Sequence, residues 1–343
     1  MVPNRPLFQE ILAEGIEREW DLRNPLLEGK KIVSIYFGGG TPTLFDLDKI
    51  AKILERIPLS RECEVTIEGN PEEINSSLLQ QLSQIGINRI SLGVQSLDDS
   101  SLAVLERRHS AKRAKAAIWE AKASFENVSI DLMFDLPWQT GKIWQATLDQ
   151  IPNLPITHLS LYNLTFEPHT VFFKRRETLQ KEVPDPTTSL QLLQMGIEAF
   201  ERSGLMRYEI SAFAKQGFQS RHNSGYWTGR PFLGFGPSAF SYWEGKRFRN
   251  QSNLLRYQKV LKEGKDPVEF EEQLPYPENW KEKLAIHLRL LEGVSIDRWP
   301  LPEETLITLQ RLKEENYLLL KKKRWRLSAK GLLFYDTVAE EII

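Results

Sequence analysis

A buried strand that runs into a glycine-rich turn and then into a helix constrains this chain of 343 residues more than any other feature. The apolar run at residues 32–37 predicts the strand, the three glycines at residues 38–40 predict the turn, and apolar residues at helical spacing across residues 47–57 predict the helix. This order opens a βαβ unit. Because glycine lets bare backbone approach a ligand, the turn predicts a site for a small polar molecule at the carboxyl end of the strand.

The same alternation continues along the first half of the chain. Further strands are predicted at residues 63–68, 89–94, 128–134 and 157–162, with helical patterns between them, so we expect a parallel sheet covered by helices. Polar residues stand at or near the ends of the first four predicted strands: Thr41, Glu68, Gln95 and Asp131. A doubly wound sheet would gather ligand groups at one switch point, whereas here successive strands all contribute. The pattern therefore predicts a full or partial parallel β/α barrel.

The rest of the chain is less regular and divides into two parts. Residues 181–270 combine a helical pattern with a glycine-rich run, and we expect this extension to close the barrel. At residues 275–343, two helical patterns, a basic hairpin and a last helix predict a small winged-helix-like α+β module. With the barrel at residues 1–180, the sequence predicts three domains.

Composition limits the classes of function and the location. The chain is 41% hydrophobic and 27% charged with a formal net charge of −1, which gives no general basicity for nucleic acid. It has no apolar run of about 18 residues and no secretory signal core, so we expect a cytoplasmic protein without stable membrane insertion. The single cysteine, Cys63, excludes internal disulfides and a multi-cysteine metal site within these residues.

Several motifs together carry a resemblance to a known family. They are FGGGTP at residues 37–42, TIEGNP at 66–71, SLGVQS at 91–96, LERRH at 105–109 and DLMFDLP at 131–137. In sequence and spacing they resemble the coproporphyrinogen III oxidase-like branch of the radical S-adenosylmethionine (SAM) proteins, over almost the whole chain. The resemblance implies a TIM-like radical SAM barrel, here without its first strand, that binds SAM.

The resemblance also implies which residues bind SAM. Gly39, Gly40 and Thr41 would line the methionyl end through their backbone. Glu68 would accept hydrogen bonds from the ribose hydroxyls, since a carboxylate offers two acceptor oxygens. Further positions that match the SAM pocket are Gln95, Arg107 and Asp131. An arginine suits the SAM carboxylate because its planar fork can bind both oxygens.

Each candidate also has a plain structural interpretation. Glu68 could cap the helix after Pro71, and Gln95 could be a satisfied buried amide. Arg107 lies in a charged run that is usually a solvated helix end. Asp131, inside an apolar strand, needs a partner if it is buried, and Arg107 would be the natural one.

The segment HNSGYW at residues 222–227 resembles a motif of the heme chaperones within this branch. It implies a protein that binds heme, with His222 as candidate iron ligand, and passes heme to acceptor proteins. Neutral imidazole is a common axial ligand of heme iron. Nearby aromatic residues could wall such a site: Tyr226, Trp227, Phe232, Phe235 and Phe240. The structural alternative is a loop histidine hydrogen-bonded to a carbonyl, with the aromatics closing the barrel.

Two other functions compete with the heme chaperone. The enzymatic alternative is an oxygen-independent coproporphyrinogen III oxidase of porphyrin biosynthesis, against which the His222 motif counts. A weaker alternative is nucleic-acid binding through the basic run at residues 321–326. A basic hairpin is more often a solvated turn, so we expect no nucleic-acid partner.

The sequence departs from the family in two places. Asp135 and Trp138 stand where the family often has glycine, which alters the expected wall of the pocket. The family's [4Fe–4S] cluster needs three cysteines spaced Cys-x3-Cys-x2-Cys, and this chain has only Cys63. We therefore expect the cluster only in a full-length form and no catalysis by the chain as written. Either the start codon was assigned downstream of the true one, which we favour, or the cysteines were lost.

Overall fold

The computed structural model describes residues 6–166, 171–297 and 299–343. Its helices are α1 (Pro6–Arg23), α2 (Leu47–Glu55), α3 (Ser76–Gln84), α4 (Asp99–Val104), α5 (Ala111–Ser124), α6 (Gly141–Leu148), α7 (Val171–Lys174), α8 (Arg176–Leu179), α9 (Pro186–Arg202), α10 (Arg221–Trp227), α11 (Leu254–Lys262), α12 (Glu278–His287), α13 (Glu303–Glu314), α14 (Ala329–Leu333) and α15 (Tyr335–Ile342). Its strands are β1 (Ser34–Phe37), β2 (Glu64–Gly69), β3 (Arg89–Gln95), β4 (Asn127–Phe134), β5 (His158–Asn163), β6 (Met206–Arg207), β7 (Ala212–Ala214), β8 (Phe240–Trp243), β9 (Lys246–Asn250), β10 (Val268–Gln273), β11 (Leu318–Lys321) and β12 (Arg324–Leu327).

The chain forms two compact units. We call Ser34–Leu47 with Glu64–Ser220 the barrel unit. The other unit contains both chain ends and is called the terminal unit: Met1–Val33, Asp48–Cys63 and Arg221–Ile343. The predicted division into three domains at residues 1–180, 181–270 and 275–343 stays a prediction.

The barrel unit is built on a seven-stranded sheet in the order β1-β2-β3-β4-β5-β7-β6. Strands β1 to β5 pair in parallel, while β7 runs antiparallel to β5 and β6 antiparallel to β7. This arrangement confirms the predicted partial parallel β/α barrel. Strand β1 lies at an edge of the sheet, and its residues are only partly buried.

The two faces of this sheet differ in chemistry. One face is apolar and almost fully buried, and helices α5 and α9 contact the strands. Its residues are Val65, Ile67, Ile90, Leu92, Val128, Ile130, Leu132, Leu159 and Leu161. The register places polar side chains on the opposite face, which we call the inner face: Tyr36, Thr66, Glu68, Arg89, Ser91, Ser129, Asp131, His158 and Ser160. Side chains alternate along a strand, so one face can pack against helices while the other carries functional groups.

Short capped helices follow the strands and leave the strand ends open. Side-chain oxygens of Asn75, Asp98 and Ser110 accept backbone N–H groups at the starts of α3, α4 and α5. Such caps satisfy amide groups that have no partner inside the helix. Helix α4 is short, because Glu106, two residues beyond its end, has a φ of 54° that stops the helical backbone.

The terminal unit contains the three-stranded antiparallel sheet β10-β9-β8, and α1 packs against α11. Its carboxyl-terminal part has helices α12 and α13, the antiparallel hairpin β11–β12 and two last helices, which are the elements expected of the winged-helix-like module. Helix α12 ends at His287. Within the described ranges, no helix combines the length and hydropathy that crossing a bilayer requires.

Candidate functional site

The inner face brings Glu68 and Asp131 to the same side of the sheet. Glu68 pairs with Ser91, and Ser91 pairs with Ser129, two residues before Asp131. The Tyr36 hydroxyl donates to Glu68 Oε1 over 2.7 Å. The glycine turn passes close by, since a Cβ at Gly38 would lie 3.3 Å from Glu68 Cδ. Asn75, not Glu68, caps the following helix, so the carboxylate of Glu68 remains on the inner face.

A second group of predicted residues converges on Gly93 of β3. A Cβ at this position would lie 3.2 Å from Gln95 Nε2 and 3.3 Å from Arg107 Nη2. The same Cβ would lie 3.3 Å from Asn70 Oδ1, and Asn70 Nδ2 donates to Thr41 Oγ1 over 3.4 Å. Gln95 has a φ of 64°, which turns the chain at the end of the strand. Gly93 therefore leaves room for side chains from separate strand ends to meet.

The charges of this region act on Asp131. Burial, together with the charge of Glu68, raises the pKa of Asp131 to about 6, against the opposing effects of the Ser160 hydrogen bond and the charges of Arg89 and Arg107. Burial also disfavours the charged form of Arg107, and it lowers the pKa of this group. Arg107 Nη2 donates to Gly93 O over 3.3 Å, and in the part of the chain that the structure describes it forms no ion pair with Asp131 within 4.0 Å. The structural alternative of an Arg107–Asp131 ion pair is therefore not what the structure contains.

These residues fit SAM. Arg107 keeps guanidinium donors beyond its one bond to Gly93, which suits a carboxylate. Gly39 and Gly40 are exposed, and Gly39 has a φ of 109°, a conformation that opens its backbone. The [4Fe–4S] cluster does not fit: the chain has one cysteine, Cys63, and its thiol is buried. Nowhere in the described residues do three His, Cys, Asp or Glu side chains come together to hold a metal ion.

Asp135 and Trp138, the two departures from the family, both adopt a backbone that favours glycine. Their φ angles are 58° and 60°, and both residues lie in the turn that follows β4. The Asp135 carboxylate accepts a hydrogen bond from Ser189 Oγ, while its Oδ1 is buried with no hydrogen bond. The Trp138 indole is 49% exposed. The chain thus keeps the glycine-like turn, and the two side chains add a carboxylate and an indole to this wall.

The inner face also holds a polar network around His158, at the start of β5, that the sequence did not predict. His158 Nδ1 lies 2.8 Å from Ser129 Oγ, and its Nε2 lies 2.9 Å from the Tyr208 hydroxyl. Burial, with the nearby charge of Arg89, lowers the pKa of His158 well below its usual value, so the ring is neutral. Arg89 is 2% exposed, and its Nε makes no hydrogen bond. The sequence did contain a signal for this network, because polar residues recur at every second position of the predicted strands.

His222 lies in helix α10, and not in a loop as the structural alternative supposed. Its ring forms a ladder with Tyr226 and Phe232: the His222 and Tyr226 centroids are 4.8 Å apart, and those of Tyr226 and Phe232 are 4.6 Å apart, both edge to face. His222 Nε2 lies 2.8 Å from the Tyr226 hydroxyl. Residues four apart meet on one helix face, which explains the contact.

The other predicted heme-wall aromatics do not join this ladder. Trp227 packs under the guanidinium of Arg289, 4.2 Å from its ring centroid. The Phe235 ring lies 5.8 Å from that of Trp20. Phe240 is 52% exposed. Of the predicted set, the structure brings together only His222, Tyr226 and Phe232.

The comparison with protein families gives the class of this barrel: the Radical SAM superfamily matches residues 22–151, so this is a radical SAM protein. The heme chaperone HemW of Synechocystis is 35% identical, with 87% of this chain and 76% of that protein covered. HemW of Bacillus subtilis is 32% identical, with 78% of this chain and 72% of that protein covered. This chain belongs to the HemW family of radical SAM proteins.

Two further comparisons agree. The radical S-adenosyl methionine domain-containing protein 1, mitochondrial, of Danio rerio is 32% identical, with 97% of this chain and 80% of that protein covered. The structure of coproporphyrinogen III oxidase (HemN) from Escherichia coli has a TM-score of 0.83 at 23% identity and covers 97% of this chain and 83% of that chain. This likeness supports the fold. Membership of the class implies SAM and a [4Fe–4S] cluster as its cofactors.

Proposed function

We propose that this chain is a heme chaperone, which binds heme through His222 and passes it to acceptor proteins. The observation that carries the proposal is the His222–Tyr226–Phe232 ladder, in which an imidazole stands beside aromatic rings that suit a flat apolar ligand. The relatives named as heme chaperones support the same function.

The contact with Tyr226 orients the imidazole of His222. Burial raises the pKa of Tyr226, so its phenol stays protonated and can hydrogen-bond His222 Nε2. Heme iron would take the place of this one hydrogen bond. The chain therefore orients the imidazole before heme arrives, which reduces the entropy lost on binding.

In the barrel unit, we propose a SAM site. Glu68 would accept hydrogen bonds from the ribose hydroxyls, and Arg107 would bind the carboxylate. The backbone of Gly39, Gly40 and Thr41 would line the methionyl end. Gln95 and Asp131 complete the proposed site. SAM supplies a sulfonium group and, in this class, the source of a radical; no step through it is assigned to this chain, which lacks the cluster thiolates.

The alternative function, oxygen-independent coproporphyrinogen III oxidase, has less support. Several of the matching bacterial sequences are named HemW, whereas the likeness to HemN rests on fold. We also propose a cytoplasmic location. We propose no nucleic-acid partner, because the net charge of −1 gives the chain no general electrostatic attraction to phosphate backbones.

Titration of the chain with hemin, followed by absorbance, tests the proposed function. His222→Ala is expected to shift the Soret band and to weaken binding by about tenfold or more, because it removes the axial ligand. Tyr226→Phe is the matched variant, since it keeps the ladder and releases Nε2, and we expect it to retain the wild-type spectrum. Thermal stability should fall little in either variant. Unchanged affinity and spectrum in His222→Ala would make His222 structural.

A further inference from the structure

The terminal unit has a second aromatic surface, which we call the α12 platform: Trp280, Lys283, His287 and Trp299. The Trp280 and Trp299 ring centroids lie 5.4 Å apart with the planes inclined by 55°, so the two indoles form a corner. The His287 ring meets Trp299 edge to face at 5.6 Å. All four side chains are partly exposed. A flat ligand could stack on one indole and touch the second with its edge.

Lys283 gives this corner a positive charge. Its Nζ lies 4.9 Å from the Trp280 centroid and 5.4 Å from the Trp299 centroid. Among residues 6–166, 171–297 and 299–343, no carboxylate lies within 4.0 Å of it. Lys281, on the same helix, is instead paired with Glu304 at 3.1 Å. Lys283 is thus a cation held over two rings and open to an anion.

The platform adjoins the helix that carries His222. The aliphatic part of Lys283 lies against Gly229, where a Cβ would come 3.2 Å from Lys283 Cε. Gly229 lies two residues beyond the end of α10, the helix that carries His222. Lys283 therefore packs against the segment that directly follows the His222 helix.

His287 is not arranged as an iron ligand. Its Nδ1 is buried without a hydrogen-bond partner, whereas metal-bound histidines almost always donate that second ring N–H to an acceptor. Burial and the charges of Lys283 and Arg324 lower its pKa, against the opposing charge of Glu292, so the ring stays neutral. The platform offers aromatic faces and one cation, and no metal ligand.

We propose that the α12 platform binds the tetrapyrrole itself: the macrocycle contacts Trp280 and Trp299, and Lys283 pairs with a propionate carboxylate, independently of iron. This inference rests on the proposed function, because it identifies a second contact for the same heme. Stacking and a cation–carboxylate pair match a ring that is flat, apolar and doubly acidic.

Parallel titrations with hemin and with metal-free protoporphyrin IX test this inference. Lys283→Gln and Trp299→Leu are expected to weaken the binding of both compounds by about fivefold, the effect of losing roughly 1 kcal/mol. The hemin Soret band should keep its wild-type position, since the iron ligand is unchanged. Lys281→Gln is the matched control and is expected to bind both compounds as the wild type does. Thermal melting checks that each variant is folded.

The results separate this inference from the proposed function. His222→Ala should alter the hemin spectrum and leave protoporphyrin binding intact, which is the reverse of the Lys283→Gln pattern. If the wild type binds both compounds and neither platform variant weakens either one, the platform is overturned and the heme function stands. If the wild type binds neither compound, both are overturned.

Discussion

At the scale of single residues, the inner face concentrates charged groups in a small region. Asp131 shares this space with Glu68, and Arg89 and Arg107 supply the opposing charges. Burial dominates, so the pKa of Asp131 is raised from 3.8 to about 6. A raised pKa means that the folded chain binds this proton more tightly than the unfolded chain does. Ionised Asp131 therefore destabilises the fold, which is a usual property of groups kept for binding.

The replacement Asp131→Asn should reveal this cost through its pH dependence. The stability that the protonated acid contributes is complete below pH 3.8 and is lost as the pH rises through about 6. At pH 8 the variant should be more stable than the wild type by at most about 3 kcal/mol, and the difference should vanish near pH 4. Urea unfolding at several pH values measures it. A variant that is less stable at pH 8 would show that Asp131 is a stabilising structural acid.

Sequence predicted some of these residues and not others, for a physical reason. Glu68 and Asp131 could be placed together because strand order and side-chain alternation fix their face. The contact of His158 with Tyr208 could not be predicted, because it joins residues 50 apart in the sequence with helices α7, α8 and α9 between them. The direction of Trp227 was equally hidden, because it depends on Arg289 of a later segment.

At the scale of elements, strands and helices with a regular apolar pattern could be predicted from the sequence, and those without such a pattern could not. Strands β2 to β5 follow apolar patterns, and their predicted bounds agree with the structure to within a residue. The sheet β8-β9-β10 was missed, since strands such as Lys246–Asn250 and Val268–Gln273 are rich in charge and lack apolar alternation. Helix α10 was taken for irregular structure, because it is short and contains Gly225.

Helix α1 is fixed to the terminal unit by a buried ion pair. Glu19 and Arg23 are 0% and 2% exposed, and Arg23 Nη1 lies 2.6 Å from Glu19 Oε1. Glu19 also accepts hydrogen bonds from the Tyr257 hydroxyl at 2.6 Å and from Asn250 Nδ2 at 2.7 Å. The pair thus joins α1 to α11 and β9. If the Arg23 guanidinium is removed, the Glu19 carboxylate stays buried without its cation, which costs free energy.

Replacing Arg23 by Met is therefore expected to lower the free energy of unfolding by about 3–5 kcal/mol. Arg18→Ala on the same helix is the control. Its ion pair with Glu14 is exposed, so the loss should be under about 1 kcal/mol. Urea denaturation of both variants gives the comparison. Equal losses would mean that the buried pair does not fix α1.

At the scale of the whole molecule, the chain combines two kinds of candidate site. The barrel unit carries the proposed SAM site, and the terminal unit carries the His222 ladder and the proposed α12 platform. Family membership supports the proposals of SAM and heme as ligands, while the single cysteine leaves the cluster of the class without its thiolates in these 343 residues. The proposed heme function does not depend on those thiolates, since the ladder and the platform use imidazole, indole and ammonium groups.

Direct handover of heme is the property that separates a chaperone from a protein that only stores heme. Stopped-flow absorbance at the Soret band can follow the hemin-loaded chain after it is mixed with the apo form of a b-type cytochrome. We predict a transfer rate that rises with acceptor concentration and exceeds the rate at which the chain releases heme to a scavenger alone. A transfer rate that equals spontaneous release and is independent of acceptor concentration would contradict the proposed function.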